Sequence, residues 1–156
     1  MKKKIIVDTS VTVKLFLEEE GSDLADKVFE QAKNGEILLF APTITSYEVL
    51  NTLVKENIPN DEIQEHLLML KDYMEAKILN LVDYSETLAL KTLEIATTDT
   101  KGKGHISSYD ATFHALAILQ QGIFLTADKK HYEKTKDIIG FILLLDNFFE
   151  KIGLTH

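Results

Sequence analysis

Short apolar runs alternate with longer amphipathic stretches along this chain of 156 residues. The short runs are rich in isoleucine, leucine, valine and phenylalanine, and they end at acidic or turn-forming residues, which is typical of buried β-strands. They predict strands at Lys4–Asp8, Ile37–Ala41, Ile78–Val82, Ile123–Thr126 and Phe141–Leu145. The pattern therefore indicates a sheet whose strands are spread over the whole chain.

The longer stretches carry apolar residues three and four positions apart, which is the spacing of an amphipathic helix. Gly35 and Pro59 fall at the ends of two of them, where glycine and proline commonly stop a helix. We expect helices at Ser10–Glu20, Ser22–Asn34, Thr43–Asn57, Asp61–Ala76, Tyr84–Thr97, Ser108–Gln120 and Lys129–Lys136. The stretch from Thr98 to Ser107 fits neither pattern and is expected to be irregular.

Strands that alternate with helices predict an α/β fold. We expect one domain over residues 1–156, with a central, mostly parallel sheet of about four to five strands flanked by helices. A chain of this length buries about 70% of the surface that it exposes when unfolded, which is enough for a core. The C-terminal ends of parallel strands meet at one edge of the sheet, and ligands bind in the crevice outside that edge.

Four acidic residues occupy positions that this fold would bring together. Asp8 and Asp128 follow strand-like runs, and Glu48 and Asp110 lie in the first turn of helix-like segments. All four are therefore expected at the C-terminal edge of the sheet. Carboxylate oxygens are the preferred ligands of Mg²⁺ and Mn²⁺, so the arrangement predicts a divalent metal site and, with it, phosphodiester chemistry.

Each acid also has a simpler explanation at the start of a helix. Thr45-x-x-Glu48 and Ser107-x-x-Asp110 match the capping-box pattern, and the other two acids could be turn or N-cap residues. A carboxylate in such a position stabilises a helix by about 0.5–2 kcal/mol. Taken one at a time, the acids are better explained as caps, and only their joint placement favours a metal site.

Short hydroxyl residues accompany the acids. Ser10 lies two positions after Asp8, and Thr126 lies two positions before Asp128. Such hydroxyls can donate hydrogen bonds that orient a carboxylate behind a metal site. Two carboxylates about 4 Å apart repel by about 4 kcal/mol at an effective dielectric constant of ~20. A purely structural cluster of acids would be unfavourable, whereas a bound cation reverses the sign.

The charge balance restricts how the protein could hold a nucleic acid. A net charge of −8 disfavours sequence-blind binding, which needs a basic face. All 17 basic residues are lysine, which excludes an arginine finger or a bidentate arginine clamp. Lysines close in sequence to two of the acids could form a basic rim that holds a phosphate backbone, although solubility is the commoner role. They are Lys101, Lys103, Lys129 and Lys130.

Several classes of site are excluded. Cysteine is absent, so the chain has no disulfide framework, thiolate zinc site or cysteine nucleophile. No two histidines have the spacing of zinc ligands, and His114 and His131 are expected to be core or surface residues. The apolar run that ends at Asp8 is too short for a secretory signal, and no stretch approaches the roughly 18 apolar residues of a membrane span. We expect a cytoplasmic protein with no membrane contact.

The acidic segments, taken together and in this order, resemble those of the PIN domain family of nucleases. The resemblance is strongest to the small toxin ribonucleases of prokaryotic toxin–antitoxin pairs, called VapC-type. It rests on Val7-Asp8-Thr9-Ser10, Ser46-Tyr47-Glu48-Val49-Leu50-Asn51, Tyr109-Asp110-Ala111 and Thr126-Ala127-Asp128. A dehalogenase-type phosphatase would need a second acid where this chain has Ser10, and a response-regulator receiver would need an acidic pair at Asp8.

The resemblance implies a function and a set of site residues. The catalytic and metal-binding acids would be Asp8, Glu48, Asp110 and Asp128. The protein would be an endoribonuclease dependent on Mg²⁺ or Mn²⁺, a homodimer, and the partner of an antitoxin that blocks the acidic groove. The alternative is a PIN-like module that binds RNA or supports assembly without cleaving.

Overall fold

Five parallel strands form the central sheet of the protein, of which a computed structural model describes residues 1–153. The predicted α/β fold with a parallel sheet is confirmed. Residues 154–156, which the sequence assigned to the same domain, lie outside the described residues. The strands are β1 (Lys3–Val7), β2 (Ile37–Pro42), β3 (Leu79–Val82), β4 (Ile123–Thr126) and β5 (Ile142–Leu144).

The order of the strands in the sheet is β3-β2-β1-β4-β5. Strands β2 and β3 follow β1 on one side of the sheet, and β4 and β5 lie on the other side of β1. The connections that leave β1 and β4 therefore run in opposite directions across the sheet. Ile6 pairs with Phe40 of β2 and Phe124 of β4, and Val7 pairs with Leu125. Such a switch point opens a crevice at the C-terminal ends of the strands. Asp8 follows β1 at this crevice.

Eight α-helices flank the sheet within the described part of the chain. Six of the seven predicted helices are present with both ends within two residues of the prediction. The bounds are α1 (Thr9–Thr12), α2 (Ser22–Lys33), α3 (Thr45–Lys55), α4 (Asn60–Glu75), α5 (Glu86–Ala96), α6 (Ser108–Leu119), α7 (Lys129–Thr135) and α8 (Phe148–Ile152). None of these helices combines the length and apolar character needed to cross a membrane.

The predicted helix Ser10–Glu20 is wrong beyond its first turns. Helix α1 ends at Thr12, and a single 3₁₀ turn, Val13–Leu15, follows it. The Nζ atom of Lys14 donates to the carbonyl oxygen of Glu20 at 2.5 Å and to the carboxylate of Glu19 at 3.1 Å. The side chain therefore folds the acidic segment back on itself, which a continuous helix would not allow.

Helix α8 was not predicted from the sequence. Its residues Phe148, Phe149 and Ile152 are buried in the core. The segment is only five residues long, too short to show a helical period, so tertiary packing rather than local pattern determines it.

Candidate active site

Asp8 directly follows the central strand β1 and lies beside the end of β4. It is the N-cap residue of α1, and its backbone N–H donates to the carbonyl of Leu125 at 2.8 Å. Its side chain does not cap the helix but accepts two hydrogen bonds at Oδ2, both of 2.7 Å, from the hydroxyls of Ser10 and Thr126. The two hydroxyls singled out from the sequence therefore hold one oxygen of this carboxylate.

The same two hydroxyls join the end of β4 to the end of β1. The Ser10 hydroxyl oxygen accepts from the backbone N–H of Ala127 at 3.0 Å. The Thr126 hydroxyl oxygen accepts from the backbone N–H of Asp128 at 3.0 Å. Because each hydroxyl donates to Asp8 and accepts from the neighbouring loop, the positions of Asp8 and Asp128 are linked.

Glu48 reaches the same region from α3. Its Oε1 atom accepts a 2.8 Å hydrogen bond from the Thr9 hydroxyl, one residue after Asp8. The capping box suggested by Thr45-x-x-Glu48 is wrong, since the N-cap residue is Ile44 and no side chain caps this helix. The Glu48 carboxylate is instead tied to the end of β1.

Asp110 and Asp128 do begin helices, as the sequence suggested. The Ser107 hydroxyl oxygen accepts from the backbone N–H of Asp110 at 3.0 Å, which caps α6. Oδ1 of Asp128 caps α7 by accepting from the N–H groups of Lys130 and His131 at 3.0 and 3.1 Å. Both of these capping bonds use Oδ1, so Oδ2 of Asp128 does not take part in the cap.

Burial raises the pKa of the Asp8 carboxyl group from 3.8 to about 7. The hydroxyls of Ser10 and Thr126 oppose this rise, because they donate to the charged form. The negative charges of Asp110 and Glu48 add to it. Asp8 is only 7% exposed, so little water is available to stabilise its charge.

The other acids lie in the same electrostatic field. Burial is the largest cause of the raised pKa of Glu48, and the charge of Asp110 raises it further. Burial followed by the charge of Asp128 raises the pKa of Asp110. We call Asp8, Glu48, Asp110 and Asp128 the acidic cluster. Its members repel one another at the edge where the sequence placed them.

The chemistry of the acidic cluster fits a hard divalent cation. Its donors are carboxylate oxygens. Three of the four acids have raised pKa values, first because burial disfavours their charged forms and then because neighbouring acids repel them. Within residues 1–153, no three acidic or histidine side chains are arranged to hold an ion as they stand. The acids therefore influence one another's charge, but their side chains would have to rotate to bind one ion together.

Comparison with known proteins identifies the family. The sequence model of the PIN domain matches residues 5–137. The chain belongs to the PIN domain family. It is 30% identical over 135 residues to Ribonuclease VapC3 of Pyrobaculum aerophilum, and the match covers 84% of this chain and 94% of that protein. The resemblance predicted from the acidic segments is confirmed.

Two solved structures share the fold of this PIN domain. PAE2754 from Pyrobaculum aerophilum has a TM-score of 0.63 and 20% identity, with 98% of each chain covered. VapBC2 from Rickettsia felis, bound to a DNA fragment from its promoter, has a TM-score of 0.63 and 17% identity, with 90% of this chain and 96% of that chain covered. At these identities the likeness is one of fold.

Four lysines and Glu133 line a surface depression beside the acidic cluster of the PIN domain. Of the four predicted rim residues, Lys103, Lys129 and Lys130 line it, whereas Lys101 is not among the lining residues. Lys134, which the sequence analysis did not single out, lines it as well, and its charge lowers the pKa of Asp110. The signal that would have found Lys134 is its spacing, since it lies four residues after Lys130 on α7.

Sequence reasoning also missed two residues that contact the acidic cluster. Thr9 was noted as a neighbour of Asp8, but its bond to Glu48 spans 39 positions, which no local pattern reveals. His131 was expected to be a plain core or surface residue. It is buried, and its Nδ1 atom lies 4.0 Å from Oδ2 of Asp110.

Replacing Thr126 tests whether its hydroxyl supports the ionised form of Asp8. Thr126→Val should lower the free energy of unfolding by about 1.5–3 kcal/mol at pH 8.5, where Asp8 is charged, and by about 0.5–1.5 kcal/mol at pH 5. Thr126→Ser keeps the hydroxyl, so its cost, about 1 kcal/mol for the lost methyl group, should be the same at both pH values. Urea unfolding measures both; a valine variant without this pH dependence would contradict the assignment.

Proposed function

We propose that this PIN domain is an endoribonuclease that depends on Mg²⁺ or Mn²⁺ and hydrolyses RNA phosphodiester bonds. The observation that carries the proposal is the acidic cluster, in which the buried Asp8 carboxyl group and its half-buried acidic neighbours repel one another at the switch point of the sheet. Such a cluster is unfavourable unless a cation is held there. The similarity to Ribonuclease VapC3 supports the choice of RNA as substrate.

Four side chains of the chain would hold the ion or ions. In the proposal Asp8, Asp110 and Asp128 are the ligands, and Glu48 completes the site directly or through water. A bound divalent ion lowers the pKa of a water molecule and offsets charge on the phosphate. The Ser10 and Thr126 hydroxyls keep the Asp8 carboxylate in place while substrate binds and leaves.

The reaction is a displacement at phosphorus. The oxygen of a water molecule bonds to phosphorus while the bond from phosphorus to one sugar oxygen breaks. The water loses a proton, and the leaving sugar oxygen gains one. Where Glu48 completes the site through water, it is placed to take the first proton, because the Thr9 hydroxyl fixes its carboxylate at Oε1.

The lysines would bind the phosphate backbone of the RNA. Lys103, Lys129 and Lys130 border the depression next to the acidic cluster, and phosphate contacts made there would hold the backbone over the carboxylates. Lys101, on the irregular segment, is proposed to extend this rim. With a net charge of −8 the remaining surface offers little attraction, so we expect selectivity for particular RNA structures.

The partners are proposed from the same resemblance. We propose that the protein is the toxin of a type II toxin–antitoxin pair in the cytoplasm, that it forms a homodimer, and that a cognate antitoxin covers the acidic cluster. The similarity of the fold to VapBC2 of Rickettsia felis supports a partner of this kind. A basic side chain of the antitoxin would be attracted to the clustered carboxylates.

The proposal is tested by incubating the purified protein with a mixed RNA pool, in Mn²⁺ or in a chelator, and by identifying the product ends. Attack by water should yield linear phosphate ends, only when Mn²⁺ is present. Products with 2′,3′-cyclic phosphate ends, or cleavage that persists in chelator, would contradict it. Asp110→Asn, purified in the same way, controls for a contaminating ribonuclease.

A further inference from the structure

Two histidines are hydrogen-bonded to each other behind the acidic cluster. His114 on α6 is fully buried, and His131 on α7 is 3% exposed. Nδ1 of His114 lies 3.0 Å from Nε2 of His131, and Nε2 of His114 lies 2.7 Å from the carbonyl oxygen of Gly140. The Phe124 ring packs against both imidazoles, with centroid distances of 5.3 and 5.5 Å. The pair is therefore held rigidly.

The carbonyl of Gly140 determines which nitrogens carry hydrogen. A carbonyl can only accept, so Nε2 of His114 must donate to it. Both rings are buried, which favours the neutral form with one N–H each. Nδ1 of His114 is then a bare acceptor, and Nε2 of His131 donates to it. By elimination, Nδ1 of His131 carries a lone pair and no hydrogen.

This lone pair faces the acidic cluster. Nδ1 of His131 is buried and has no hydrogen-bond partner within the described residues. Oδ2 of Asp110 is 4.0 Å away, and the Asp110 side chain is 41% exposed. A buried acceptor left unpaired costs about 1–3 kcal/mol, and a second acceptor opposite it adds repulsion. A cation placed between the two atoms would relieve both costs.

We propose that Nδ1 of His131 is a nitrogen ligand of the divalent ion bound at Asp110. The inference rests on the proposed function, because it adds a ligand to the same site. In the near-octahedral geometry of Mg²⁺ or Mn²⁺, adjacent ligand bonds of about 2.1 Å hold their donor atoms about 3 Å apart. The Asp110 carboxylate, 4.0 Å from Nδ1, would therefore turn toward His131 to share the ion.

A nitrogen ligand changes which metal the site prefers. Mg²⁺ takes oxygen ligands and gives up its waters reluctantly, whereas imidazole nitrogen binds first-row transition ions well. The site should therefore select Mn²⁺ over Mg²⁺ more strongly than a set of carboxylates alone. His114 holds the His131 ring through Nε2, as partners behind a metal-ligating histidine commonly do.

The test uses Mn²⁺ itself as the spectroscopic probe. Pulsed electron paramagnetic resonance of the Mn²⁺-loaded protein should show ¹⁴N coupling from a directly bound imidazole. His131→Gln keeps a polar group near the Nε2 position for His114 but removes Nδ1, so the ¹⁴N coupling should disappear. The ratio of Mg²⁺ to Mn²⁺ dissociation constants should fall about tenfold in that variant. His131→Asn, which restores a polar atom near the Nδ1 position, should bind Mn²⁺ more tightly than His131→Gln.

The outcomes separate this inference from the proposed function. Bound Mn²⁺ without ¹⁴N coupling in the wild type would overturn the nitrogen ligand and leave the carboxylate site intact. Coupling that persists in His131→Gln would also overturn it, since another histidine would then be the ligand. Wild-type protein that binds no Mn²⁺ at all would overturn both proposals. Thermal unfolding of each variant without metal shows whether it is folded.

Discussion

Asp8→Asn is expected to raise the free energy of unfolding by about 2 kcal/mol above pH 7, because removing the buried charge gains about 4 kcal/mol and weakening its hydrogen bonds costs about 2 kcal/mol. It is also expected to reduce RNA cleavage by about a thousandfold or more. The carboxyl group of Asp8 has a pKa of about 7 in the folded chain, against 3.8 ordinarily. Asparagine has nearly the same shape but never carries the buried charge. It can still accept a hydrogen bond from Ser10 or Thr126 through its amide oxygen.

The raised pKa of Asp8 explains why the asparagine variant should be more stable than the wild type at high pH. Because its folded pKa is raised, Asp8 keeps a proton in the folded protein that the unfolded chain releases. The wild type therefore loses stability as the pH rises from about 4 to about 7, and the loss is complete above the folded pKa. Asp8→Asn should lack this part of the pH dependence, so the two proteins should differ most at pH 8.

Urea unfolding at pH 5 and pH 8, without metal, measures the difference. Asp72→Asn is the matched control, because Asp72 is exposed on α4, and it should change stability by less than about 0.5 kcal/mol at either pH. Asp8→Asn that is no more stable than the wild type at pH 8 would contradict the buried-charge account. Cleavage is a separate readout, since its loss does not depend on stability.

Saturating Mn²⁺ is expected to raise the melting temperature of the wild type by about 5–10 °C and to have almost no effect on Asp110→Asn. An ion at a hundred times its dissociation constant stabilises a folded protein by about 2.7 kcal/mol. For a chain of this size, each kcal/mol corresponds to about 2–4 °C. Asp110 interacts with Asp8, Glu48 and Asp128, so it occupies the centre of the acidic cluster.

The same melting experiment separates a nuclease from a PIN-like module that only binds RNA. A module without a metal site should melt at the same temperature with and without Mn²⁺. A shift that survives in Asp110→Asn would mean that the ion binds elsewhere. Ca²⁺ in place of Mn²⁺ distinguishes an oxygen-only site, which should accept both ions, from one with a nitrogen ligand, which should favour Mn²⁺.

The sheet and the positions of the acids could be predicted because both depend on local pattern. Apolar runs of strand length identified β1 and β4, and parallel strands bring Asp8 and Asp128 to one edge wherever the rest of the chain lies. The start of α6 was equally local, since Ser107 and Asp110 are three residues apart. In each case the neighbours along the sequence decide the geometry.

Other features depend on contacts between distant residues. Thr9 meets Glu48 only after α3 packs beside the end of β1. His114 meets His131 only when α6 packs on β4 and α7 packs on the neighbouring strand β5. The histidines were dismissed because their spacing of 17 residues is not that of a zinc motif. The two histidines are brought together by the fold and not by closeness in the sequence.

The most direct test of the account is the initial rate of RNA cleavage by the wild type and by Asp8→Asn, each in Mn²⁺ and in EDTA. The two proteins are purified in parallel, and unfolding curves show that both are folded. Wild-type protein is expected to cleave RNA in Mn²⁺ and not in EDTA, and Asp8→Asn is expected to cleave in neither. Equal rates for the two proteins in Mn²⁺, or cleavage by the wild type that continues in EDTA, would contradict it.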